Sequence, residues 1–66
     1  MKIKIYFKDK DTVILNRIEK TYKSGDEYVF ITKKGDEIRY KIKNIYRILK
    51  QYIWIHKIKY ISLPIK

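Results

Sequence analysis

The side chains best placed to do chemistry in this chain are cationic. Lys2, Lys4 and Lys8 recur with Tyr6 at the start, Arg39, Lys41 and Lys43 alternate further on, and Lys57 and Lys59 follow near the end. Alternate residues of a strand share one face, so each set predicts a row of ammonium or guanidinium groups. Such a row neutralises phosphates, and interleaved aromatics give bases a surface on which to stack. Catalytic chemistry has far less to work with. His56 is the one histidine, and Ser24 and Ser62 are the two serines. Asp9, Asp11, Asp26, Glu27, Asp36 and Glu37 fall in stretches with turn polarity, with Glu19 alone elsewhere. A nucleophile, a base and an orienting acid do not assemble from these, so no catalytic residue, no metal site and no cofactor is expected, and the reading is of a protein that is not an enzyme.

Length and charge narrow the class. A chain of 66 residues is one small domain, able to close one thin core but not a deep cleft as well. Lysine and arginine number 17 against 7 acids, a net charge of +10. The split is uneven: residues 1–37 hold nine bases and seven acids, whereas residues 38–66 hold eight bases and no acid. A one-sign field of this kind concentrates polyanions. If about five of its charges met duplex phosphates, log affinity would fall against log salt with a slope of roughly −4 to −5. Cysteine is absent, so neither disulfides nor thiolate metal sites can staple the fold. Runs without a charged residue stop at six, as in residues 51–56 and 60–65, where a membrane helix needs about 20. With no export signal legible either, the expected place is the cytoplasm, with no membrane partner.

The elements that must position these charges are strands. Isoleucine occurs 14 times, tyrosine 7 times and alanine never, a balance that suits half-buried pleats. Residues 2–7 alternate, putting Ile3, Ile5 and Phe7 on one face and Lys2, Lys4 and Tyr6 on the other. Residues 12–22 read as a longer strand in which Val13 and Leu15 share a face while Ile18 has the opposite parity. A bulge or bend near Asn16 and Arg17 reconciles them. Residues 28–32 carry no interior charge, and residues 38–43 alternate Ile38, Tyr40 and Ile42 with the three cations. Turns fall at residues 23–27 and 33–36, each with a Gly-Asp pair, and Gly35 suits the positive φ of a hairpin. Residues 1–43 are therefore expected to form a four-stranded antiparallel sheet.

Residues 44–66 satisfy two periods at once. Ile45, Ile48, Leu49, Tyr52, Ile53 and His56 would line one face of a helix capped by Asn44, while the branched and aromatic residues from Tyr52 to Leu63 suit a strand. The expectation is a helical stretch ending near Tyr52 and yielding to a strand, or one helix to about Lys57, with Pro64 stopping either. The segment is more apolar than one small sheet readily hides, which predicts a two-fold dimer or a partner interface through Ile48, Leu49, Tyr52, Trp54 and Ile55.

The opening Lys-Ile-Lys-Ile-Tyr-Phe-Lys-Asp of residues 1–8 and the Gly-Asp-Glu-Ile-Arg-Tyr-Lys-Ile-Lys-Asn-Ile of residues 35–45 resemble short β-rich proteins encoded by phages and prophages of low-GC Gram-positive bacteria. The resemblance implies a small viral protein acting inside a host cell, and some proteins of that kind inhibit bacterial immunity, anti-CRISPR proteins among them. The expected architecture is mainly β: a strongly curved antiparallel sheet closing as a small Sm-like or Src-homology-like barrel, with a short C-terminal helix as an option. The alternative lays a full C-terminal helix across the sheet. The expected function is binding of nucleic acid or a nucleoprotein through Lys2, Lys4, Tyr6, Lys8, Arg39, Lys41, Lys43, Lys57 and Lys59. Its rival is an inhibitor docking on a host defence protein through a few buried aromatic anchors.

Overall fold

A computed structural model of the chain describes residues 1–54 and 57–65, with side chains described outside residues 52–59. Its elements are β1 (Lys2–Phe7), β2 (Val13–Leu15), β3 (Ile18–Ser24), β4 (Glu27–Thr32), β5 (Glu37–Lys41), a single-turn 3-10 helix (Ile42–Asn44), β6 (Ile45–Trp54) and β7 (Lys57–Ser62). The protein is mainly β, built as two small antiparallel sheets, one ordered β2-β1-β6-β7 and the other β3-β4-β5. Among the described residues no ladder joins the two sheets into a closed barrel, and no helix is long and apolar enough to cross a membrane.

Local chemistry explains the path. Alternation in β1 buries Ile3, Ile5 and Phe7. The second strand breaks at Asn16 and Arg17, where Arg17 takes a φ of 55°. The break lets Val13 and Leu15 pack from one sheet and Ile18 bury itself from the other. Gly25 and Gly35, with φ of 60° and 94°, close the two hairpins of the β3-β4-β5 sheet, a backbone region that side chains disfavour. The 3-10 turn then carries the chain from that sheet to the other.

The core lies between the sheets. Ile3, Ile5, Phe7, Ile45 and Ile48 come from one sheet, and Ile18, Tyr28 and Phe30 from the other. Phe7 meets Tyr40 edge-on with ring centroids 5.0 Å apart, Phe30 meets Tyr40 at 6.3 Å, and Tyr28 stacks on Phe30 at 5.4 Å. The Lys10 ammonium lies 4.2 Å from the Phe7 ring and 5.2 Å from the Tyr40 ring, so the first loop covers the seam with a cation over aromatic faces. Met1 and Ile18 exchange backbone hydrogen bonds of 3.0 and 2.9 Å at the opposite corner.

Two expectations are corrected. Residues 1–43 do not form one four-stranded sheet, because the break at Arg17 sends β2 to the first sheet and β3, β4 and β5 to the second. Residues 45–54 are strand and not helix. β1 pairs with β6 from Lys2 opposite Gln51 to Phe7 opposite Ile45, which satisfies the edge of β1 that β2 leaves open. The helix-like spacing has a local cause. Tyr46 is an extra residue in β6, since Tyr6 faces Arg47 while Phe7 faces Ile45. This bulge lets Ile45 and Ile48, three apart, both point into the core, and three is a helical interval. Asn44 ends the 3-10 turn and caps no longer helix.

Candidate functional site

Register places the cations of β1. Directly opposed residues of an antiparallel pair share a face, so with Ile3 and Ile5 buried, Lys2, Lys4 and Tyr6 lie on the outer face of the β2-β1-β6-β7 sheet. Three rungs cross that face. Ile14, Lys4, Leu49 and Ser62 make the middle one, and Lys2, Gln51 and Tyr60 make the one beside it. Tyr6 and Arg47 make the third, and the β6 bulge adds Tyr46 next to Arg47. Tyr46 is 70% exposed and Tyr60 58%. The Lys4 ammonium lies 5.2 Å from the Tyr6 ring centroid. Lys8, exposed just beyond β1, is held to this end of the sheet by its N–H, which donates to the Asn44 carbonyl at 3.0 Å.

The electrostatics of the two sheets differ. No acid occurs in β1, β2, β6 or β7, whose bases are Lys2, Lys4, Arg47, Lys50, Lys57 and Lys59. All seven acids sit in the loops or in the other sheet: Asp9, Asp11, Glu19, Asp26, Glu27, Asp36 and Glu37. Of these bases, register places Lys2, Lys4 and Arg47 on the outer face, a set of one sign with Tyr46 and Tyr60 roughly 13 Å apart along the strands at about 3.3 Å per residue.

Arg39, Lys41 and Lys43 do not join that face. β5 belongs to the other sheet, so its outward cations lie away from β1. Arg39 is bound to Glu37, Nε to Oε2 at 3.1 Å, and to Glu27, Nη1 to Oε1 at 3.4 Å. Lys41 donates to Asp26 Oδ2 at 3.0 Å. The hydrogen bond from Lys41 holds the Asp26 carboxyl below its ordinary value, and that from Arg39 does the same to Glu37. Lys43 is exposed, but on the 3-10 turn and not on a strand.

The remaining expected residues divide. Ile48 is completely buried in the core and cannot be an interface residue, because β6 turns that side inward against Ile5. Leu49 is half-buried on the outer face beside Lys4. Tyr52, Trp54, Lys57 and Lys59 lie on the paired strands β6 and β7, with side chains outside the described residues, and Ile55 and His56 lie outside them entirely. Arg47 and Tyr46 escape sequence reading because their facing depends on the bulge. The only signal was the Ile45-to-Ile48 interval, which a helix explains equally well.

Comparison with protein-family models, curated protein sequences and solved structures gives no match.

Proposed function

We propose that this protein binds single-stranded nucleic acid along the outer face of the β2-β1-β6-β7 sheet. The observation that carries the reading is the absence of any acid from those four strands while Lys2, Lys4, Arg47, Tyr6, Tyr46 and Tyr60 share one surface. Cations track the phosphates, and the exposed rings offer sequence-tolerant stacking. Single strands are favoured over duplex because the exposed Tyr46 and Tyr60 rings can stack only on bases whose faces are not already paired within a duplex stack. Lys2, Lys4, Lys8 and Arg47 contacting about four phosphates correspond to a salt slope near −3. Anisotropy titration of a labelled oligothymidylate at two salt concentrations tests this. Expected is salt-sensitive binding that Lys4→Glu with Arg47→Glu abolishes, and binding that survives both substitutions unchanged overturns it.

A second reading is favoured by the exposure of Tyr46 at 70% and Tyr60 at 58%. Here the same sheet face docks on a host defence protein, with those two rings as anchors. Absence of oligonucleotide binding at low salt, together with a host protein whose capture is lost in Tyr46→Ala and Tyr60→Ala, selects this reading.

A further inference from the structure

Away from that sheet face, a pocket of about 480 Å³ opens where the break in the second strand meets the β4–β5 turn, lined by Asn16, Arg17, Thr32, Lys33, Lys34 and Asp36. Backbone hydrogen bonds hold its two walls together. The Lys33 N–H donates to the Arg17 carbonyl at 2.9 Å, and Ile18 pairs with Thr32 at the start of the ladder. The turn is closed by Gly35 N–H to the Thr32 carbonyl at 2.9 Å and by Asp36 N–H to Thr32 Oγ1 at 2.9 Å. Thr32 therefore uses its hydroxyl oxygen as an acceptor and keeps its O–H to donate.

We infer that this pocket is a second binding site, for a phosphate-bearing group. Three cations and one carboxylate line it, leaving a net charge of +2. Among the described residues none of Arg17, Lys33 and Lys34 forms an ion pair, in contrast to Arg39 and Lys41 on the neighbouring strand. Asn16 and Thr32 add neutral donors. Arg17 holds its place in the left-handed region at φ 55°, a conformation more typical of glycine or asparagine and often found where a side chain serves a ligand. No aromatic side chain lines the pocket, so recognition falls on the phosphate and not on a base. The site does not depend on the sheet face, which shares none of its residues.

Backbone amide spectra of the full chain titrated at low salt with inorganic phosphate, and separately with ribose 5-phosphate, test the inference. Expected are saturable shifts concentrated at Arg17, Lys33, Lys34 and Gly35, with affinity at least tenfold weaker in Arg17→Gly. Glycine adopts that φ readily, so this variant keeps its fold while removing the guanidinium. Lys34→Glu, on the exposed turn, should weaken binding likewise. Shifts spread evenly over all the lysines, or affinities unchanged in both variants, would overturn the site. The source of the phosphate is read from a third arm: preference for a 5′-phosphorylated over a 5′-hydroxyl oligonucleotide assigns the pocket to a strand end, and equal binding of the two, with ribose 5-phosphate still binding, assigns it to a free phosphate ester.

Discussion

Arg39 donates to both oxygens of the Glu37 carboxylate, Nε to Oε2 and Nη2 to Oε1, each at 3.1 Å. The fork-to-fork pairing is the strongest geometry an exposed arginine can find. Tyr22 adds a hydroxyl donor to the same carboxylate at 3.4 Å, and Glu27 takes the remaining side of the guanidinium. The cation is thereby committed within its own sheet.

Its expected consequence is that Arg39→Gln and Lys41→Gln leave oligonucleotide affinity within about twofold and the salt slope unchanged, since neither side chain meets a phosphate. Anisotropy titrations of both variants beside Arg47→Gln check this. A drop for Arg39→Gln as large as that for Arg47→Gln would put the binding face on the wrong sheet.

Tyr46→Ala separates stacking from charge. Loss of one stacked base costs about 1–3 kcal/mol of binding, a fall of roughly 5- to 150-fold, without altering the number of phosphates neutralised. The salt dependence of the variant should run parallel to that of the parent, and its urea midpoint should hardly move because the ring is mostly exposed.

Ile48→Ala addresses the opposite kind of position. Truncating a fully buried isoleucine removes apolar contact and leaves a cavity, a cost of about 2–5 kcal/mol. Denaturant unfolding should register that loss, and sedimentation of the folded fraction should show the oligomeric state of the parent.

Acid should weaken the fold through the ion pairs of the β3-β4-β5 sheet. Asp26 and Glu37 are held below their ordinary values of 3.8 and 4.5 by Lys41 and Arg39. The native state thus binds fewer protons than the unfolded chain, so their contribution is complete above those ordinary values and disappears as pH falls through the depressed ones. Urea midpoints should be level near neutrality and decline below pH 4.5 or so. Asp26→Asn with Glu37→Gln should flatten part of that decline.

Much of the fold was legible because β1 buries one face cleanly and a single buried isoleucine starts β3. Ile3, Ile5 and Phe7 alternate without interruption, and the parity clash between Leu15 and Ile18 marks the bend where Arg17 turns. Ile45 and Ile48 misled for a physical reason: an inserted strand residue reproduces the spacing of a helical face, and only the open edge of β1 decides between them. The candidate site was half legible. Lys2, Lys4 and Tyr6 follow from alternation alone. Arg39 and Lys41 also alternate, and the same alternation puts Glu37 beside Arg39, but Glu27 and Asp26, which complete the neutralisation, come from another strand and its turn, and no periodicity within β5 reports on those.

The pairing of Lys2 with Gln51 also bears on the order in which the molecule assembles. The β3-β4-β5 hairpins close over short stretches of chain, whereas the β1–β6 ladder joins segments separated by most of the sequence, and such distant closures are slow. During synthesis β1 leaves the ribosome well before β6 and waits, with Ile3 and Ile5 uncovered, until its partner is made. The lysines that alternate with those isoleucines keep the waiting segment solvated and discourage it from pairing with other nascent chains.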